Sequence, residues 1–175
     1  MSTCVVVSEC AAYDRDCLLS ALEKTLAFFP HYHNDSLSGY SILLKPNLIA
    51  PDSANSPAIT DPRLLEALIF LLQRKGALVS IGDSPAFGSV NGVARSCGLK
   101  RIAERSGVPL VRFKRNKDIF RGSSSSFDLI SKLPPEIRST VARLSTVSET
   151  VRDFDAVINV PKLKAHVQMG FTAGV

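Results

Sequence analysis

Tryptophan is absent from this 175-residue chain, methionine occurs twice, and aromatic residues make up only 7% of it. With so few rings, the scattered basic residues have no aromatic stacking platform beside them, and no nucleic-acid recognition motif accompanies them. Long apolar runs are also missing. The longest strongly apolar stretch, residues 67–72, is far shorter than the roughly 20 residues of a membrane-spanning helix. Residues 1–10 lack the basic segment and apolar segment of a secretory leader. These absences predict a cytoplasmic protein with neither a membrane nor a nucleic acid as partner. The four cysteines, Cys4, Cys10, Cys17 and Cys97, form no CxxC pair and lack the spacing of a ferredoxin cluster. Reduced, mostly buried thiols are expected, and no metal is assigned.

What is present fits a globular enzyme-sized unit. The length supports one substantial core burying roughly 70% of the unfolded surface, and a single domain over residues 1–175 is expected. Basic residues number 21 against 16 acidic ones, a net charge of +5. That mild excess suits an acidic small molecule as well as an acidic polymer.

Apolar segments of strand type alternate with segments of helical period. Residues 4–7 read as a first strand, and Leu18, Leu19, Leu22, Leu26 and Phe29 recur at helical spacing, with Asp14 or Asp16 as cap and Pro30 beyond the end. A polar loop follows, where His31 and His33 read as solvated histidines. Residues 40–44 form the second strand. Asp61 caps a helix that has Pro62 in its first turn and Leu64, Leu65, Leu68, Ile69 and Leu72 as its buried stripe; Gly76 stops it. Capping accounts for Thr60 and Asp61. Residues 77–81 are the third strand, after which Ser84 is placed to cap the next helix. Gly88 and Gly92 could offer N–H groups to an anion there, but neither a Walker loop nor a dinucleotide fingerprint occurs.

Residues 93–97 and 99–105 read as helices divided by Gly98, and residues 108–113 as a fourth strand. Residues 114–126 turn basic and then serine-rich, as a solvated loop does. Pro134-Pro135 precedes a short helix, residues 144–147 are a candidate fifth strand, and residues 148–154 form a turn or short helix with Ser148 as cap. Residues 156–160 make the last strand. The chain then ends without a polar tail, so an amino-terminal piece of a longer protein is expected.

This alternation predicts an α/β class: a Rossmann-like three-layer fold with a mainly parallel sheet of five to six strands. Parallel strands share one carboxyl-terminal rim, where ligands bind near a topological switch point. Three strands end there in polar chemistry: Lys45-Pro46-Asn47, Gly82-Asp83-Ser84, and Asn159 followed by Lys162, Lys164 and His166. If the extended conformation persists past Pro161, Lys162, Lys164 and His166 share a face, with the lysines roughly 7 Å apart. Two unit charges about 4 Å apart at an effective dielectric of about 20 interact by roughly 4 kcal/mol. Asp83 alone cannot offset three lysines, so a carboxylate or phosphate ligand is the simplest completion. His166, whose ordinary pKa is near neutrality, is the candidate acid or base.

The segments Leu43-Leu44-Lys45-Pro46-Asn47-Leu48, Thr60-Asp61-Pro62, Gly82-Asp83-Ser84 and Ile158-Asn159-Val160-Pro161-Lys162-Leu163-Lys164-Ala165-His166 resemble, in order, the domain of unknown function 362 family (DUF362). The resemblance implies an α/β domain in redox-associated proteins. Members often carry a ferredoxin-like module, so it also implies an iron-sulfur cluster or redox protein partner, in a part of the full-length protein other than these residues. A more distant similarity is to the amino-terminal domain of nickel-pincer lactate racemases.

Two function classes follow. In the first, an oxidoreductase-associated or racemase-like enzyme domain binds a small anionic substrate through Lys45, Lys162 and Lys164. His166 transfers a proton, Asp83 takes part in catalysis or orientation, and Asn47, Ser84 and Asn159 orient the substrate. In the second, the chain is a non-catalytic anion-binding or docking module whose basic loop, residues 114–121, meets an acidic partner.

Overall fold

Ile42, Leu43 and Leu44 are apolar at successive positions, a pattern that suits an interior strand covered on both faces. The computed structural model describes residues 5–28, 32, 37–113, 149–166 and 170–172. By chain contacts it divides into two compact units, Met1–Arg112 with Phe154–Val175, and Phe113–Asp153.

The first unit begins with α1 (Arg15–Leu26), capped by the Asp14 carboxylate, which accepts the Cys17 N–H. Next come β1 (Ser41–Pro46), α2 (Pro62–Arg74) and β2 (Leu78–Asp83). Two short helices, α3 (Val90–Ser96) and α4 (Leu99–Arg105), lead to β3 (Leu110–Arg112), and β4 (Ala156–Val160) completes the sheet. All four strands are parallel, in the order β3-β2-β1-β4. The class is α/β. The described residues place four strands in this sheet rather than five or six; the candidate strand at 144–147 lies outside them.

Helix α2 starts as its sequence dictates, with Asp61 accepting the Arg63 N–H and Pro62 in the first turn. Its buried Leu65, Leu68, Ile69 and Leu72 pack with Ile42 and Leu44 of β1, Val79 and Ile81 of β2, and Val160 of β4 in one apolar core. Gly76 ends the helix at φ +86°, and a Cβ there would approach the Ser38 Cα to 3.2 Å. Ordinary side chains are disfavoured at that position twice over. At the amino-terminal edge of the sheet, the Asp155 carboxylate accepts from the Ser41 N–H at 2.9 Å and the Ser41 hydroxyl at 2.7 Å, fixing the start of β1 against β4. These hydrogen bonds hold the Asp155 carboxyl below its ordinary value.

Several local expectations change. Residues 5–7 form no strand: Val5 is 83% and Val7 91% exposed. Their β-branched preference is realised only against a partner strand, and residues 5–7 pair with no strand of the sheet. Ser84 does not cap α3; Ser89 does, accepting the Gly92 N–H at 3.1 Å. That hydrogen bond also takes up one of the N–H groups expected to face an anion. The strand of residues 156–160 ends where predicted, and the parallel ladder does not continue past it. Residues 161–163 have no regular structure. Beyond them β5 (Lys164–His166) pairs antiparallel with β6 (Gly170–Thr172), apart from the parallel sheet.

In the second unit, the described residues include the 3-10 helix Glu149–Asp153, within the stretch read as a turn or short helix. Its expected cap Ser148, the Pro134-Pro135 helix, the basic loop 114–121, Cys4, His31 and His33 lie outside the described residues. Among the described residues no helix is long and apolar enough to cross a membrane.

Candidate anion site at the strand carboxyl ends

The strand order runs from β1 through β2 to β3 in one direction, and β4 then adds on the opposite side of β1. The reversal makes the β1–β4 junction the topological switch point, where the crevice of such sheets opens at the strand carboxyl ends. The register sets Lys45 beside Asn159 and Pro46 beside Val160. Both proline-bounded motifs thus finish at this one place.

Beyond β1 the chain turns back over the rim. Lys45 Nζ lies 3.0 Å from Asp83 Oδ1, and Asp83 Oδ2 accepts the Leu48 N–H at 2.7 Å. The Asp83 side chain is 8% exposed, against 40% for Lys45. A buried carboxylate with both oxygens engaged is an anchor: it fixes the lysine and closes the turn through Leu48. Ser84, next in sequence, is exposed.

Thr60 forms the second bridge. Its hydroxyl accepts the Asn47 N–H at 2.8 Å and donates to the Val160 carbonyl at 2.6 Å, while its own N–H donates to the Asn47 carbonyl at 3.1 Å. The loop before α2 is thereby tied to the ends of both β1 and β4. The Asn47 side-chain amide and the Lys164 ammonium each donate to the Ala58 carbonyl, both at 2.8 Å. Lys164 is half-buried, and burial pushes its ammonium below the ordinary lysine value.

Asp61 has a second function besides capping. Burial alone would raise its carboxyl, but hydrogen bonds and charge from Arg63, with a further contribution from the Lys162 ammonium, hold it below its ordinary value. The three lysines are therefore not left to repel one another. Lys45 has Asp83, Lys162 lies in the field of Asp61, and Lys164 has the Ala58 carbonyl. A ligand is therefore not needed to balance Lys45, whose counter-charge is Asp83. Asn159 is exposed on β4. His166 is described in its main chain, as the residue of β5 opposite Gly170.

The structure thus gathers Lys45, Asn47, Asp83 and Lys164 into one network through Leu48, Thr60 and Ala58, with Lys162 electrostatically beside it. Sequence reasoning missed the bridging roles of Leu48, Thr60 and Ala58. Thr60 was absorbed by the capping account, although the polar Thr60-Asp61 pair beside an already adequate cap was a signal of a second role. The Leu48 N–H and the Ala58 carbonyl are main-chain groups, which leave no mark in a sequence.

The iron-sulfur cluster implied by the resemblance is expected outside these residues, and the cysteines described here serve other positions. Cys97 is buried at the end of α3, Cys10 and Cys17 lie at the start of α1, and no group of three His, Cys, Asp or Glu among the described residues could hold a metal ion.

The fold is a parallel α/β domain with Lys45 at the carboxyl-terminal rim of its switch point. Residues 42–175 match the family described as "Domain of unknown function (DUF362)", and the chain belongs to that family. It is similar to thylakoid-associated protein sll1697 of Synechocystis sp., with 32% identity over 164 residues, covering 94% of this chain and 46% of that protein. The chain thus spans less than half the length of this relative. No solved structure matches the chain significantly.

Proposed function

We propose that the β1–β4 crevice binds a small carboxylate or phosphate, as part of an enzyme domain in a redox-associated protein. Lys45, Lys162 and Lys164 form the cationic wall, Asn47, Ser84 and Asn159 orient the ligand, and Asp83 holds Lys45 in place. The observation that carries this reading is the position of the lysines at the switch point of the sheet, where parallel α/β folds take their ligands. His166 is the proposed proton-transfer group.

The chemistry at Lys164 supports an anion in particular. An ammonium pushed down by burial regains stabilisation when a negative charge arrives beside it, an attraction of roughly 4 kcal/mol for a pair about 4 Å apart at a dielectric of about 20. Anion binding then favours protonated Lys164 and weakens as that proton is lost at higher pH.

Calorimetric titration with inorganic phosphate and with lactate, as a representative hydroxy acid, tests the reading. One of the two should bind to the unmodified chain, and Lys162→Met with Lys164→Met should weaken that binding at least tenfold while the circular dichroism spectrum stays the same. Equal affinity in the double variant would overturn it. A cluster or redox partner of the longer protein is a separate question, read by metal analysis of the full-length polypeptide.

A further inference from the structure

Cys10 and Cys17 have no part in the crevice chemistry, and the expectation of buried thiols fails for both. Each is partly exposed, and their Sγ atoms are 3.0 Å apart. The local fold explains the meeting. Because Asp14 caps α1, Cys17 falls in the first helical turn, and residues 10–14 bend so that Cys10 comes back onto it; the Cys10 thiol also lies 3.0 Å from the Ala12 carbonyl. The separation is well inside van der Waals contact, and closure to the roughly 2.05 Å of a disulfide needs a movement of about 1 Å.

The two thiols are not equivalent. The hydrogen bond between the two thiols lowers the Cys17 value and raises that of Cys10. Main-chain hydrogen bonds from Ala12 and Ala11 lower Cys17 further, against desolvation and the nearby Asp14 charge, which raise it. One thiol is thus prepared to attack and the other to follow. A cavity of about 730 Å³ opens beside Cys17, lined among others by Val7, Glu9, Ser20, Lys24 and Phe28. It offers an incoming reagent an apolar wall and charges of both signs.

We propose that Cys10 and Cys17 are a reversible redox pair that exchanges with a low-molecular-weight disulfide of the glutathione type. The Cys17 thiolate attacks one sulfur of that disulfide. The reagent's S–S bond breaks, a mixed disulfide forms on Cys17, and the first small thiolate leaves and takes a proton from water. Cys10 then gives up its proton and attacks Cys17 Sγ, expelling the second small thiolate, which takes up a proton. Two protein thiols are oxidised and one small disulfide is reduced to two thiols. The product ties the segment before α1 to the first turn of the helix.

The test equilibrates the full chain in buffers of graded oxidised-to-reduced glutathione ratio, blocks free thiols by alkylation and maps peptides by mass spectrometry. A Cys10–Cys17 linked peptide should accumulate with oxidation and disappear on addition of dithiothreitol. Cys10→Ser should stop at a glutathionyl adduct on Cys17, and neither Cys10→Ser nor Cys17→Ser should yield an intramolecular linked peptide. Thiols that stay free at every ratio would overturn the proposal. So would a linked peptide joining either residue to Cys4 or Cys97.

Discussion

The Thr60 hydroxyl donates to the Val160 carbonyl at 2.6 Å across 100 residues of sequence. This contact joins the loop before α2 to the end of β4, and the same oxygen receives the Asn47 N–H. Thr60 is 2% exposed, so its loss cannot be made good by bulk water. Thr60→Val should lower unfolding stability by about 1–3 kcal/mol, the cost of leaving buried main-chain groups unsatisfied. Thr60→Ser keeps the hydroxyl and should retain most of the stability. Urea denaturation of the three proteins measures both effects, and equal midpoints for valine and threonine would remove Thr60 from its bridging role.

Asp83 is predicted to act through its two oxygens separately. Asp83→Ala strips the acceptor from the Leu48 N–H and the counter-charge from Lys45. A loss of about 2 kcal/mol is expected, below the range for fully buried ion pairs because Lys45 is 40% exposed. Asp83→Asn keeps an acceptor and should cost less, while still freeing Lys45. Thermal melts of the two variants order the effects; a more damaging asparagine than alanine would contradict the assignment.

Lys164 gives a pH dependence of definite sign. Its folded-state value is lowered by burial, so between that value and the ordinary lysine value of about 10.4 the unfolded chain binds more protons than the folded one. Stability attributable to this residue must therefore rise with pH through that window. The unfolding free energy of the unmodified chain minus that of Lys164→Met should increase as pH rises toward the ordinary lysine value. A flat or falling difference in urea midpoints would show that burial does not disfavour the charge.

Gly76 sits at φ +86° against Ser38. Gly76→Ala should cost at least about 1–2 kcal/mol, the penalty of a left-handed residue, with the 3.2 Å approach to the Ser38 Cα adding to it. Differential scanning calorimetry should show a lowered transition temperature.

Much of the frame could be read from local patterns. The run from Ala156 to Val160 is bounded by Pro161, Asp61-Pro62 marks the start of α2, and Gly76 marks its end; each has a short-range cause, and each lies where expected. Val5 and Val7 have the same β-branched character as true strands, yet no partner edge reaches them. Ser84 was a plausible cap, but the chain runs on to Ser89 before turning helical. The site divides in the same way. That Lys45, Asn47 and Asp83 share a rim follows from parallel topology, whereas the electrostatic reach of Lys162 to Asp61 and the convergence on the Ala58 carbonyl depend on how loops fold over that rim. Nor does spacing reveal that Cys10 and Cys17 meet, because contact depends on α1 starting at Arg15.

The most direct test of ligand binding at the β1–β4 junction is amide chemical-shift mapping by NMR during titration with the anion that calorimetry selects. Saturable shifts should concentrate on residues 45–48, 58–61, 83–84 and 159–164. Saturable shifts confined to the surface formed by Tyr13, Arg15, Arg63 and Arg105, where a separate cavity lies, would contradict it.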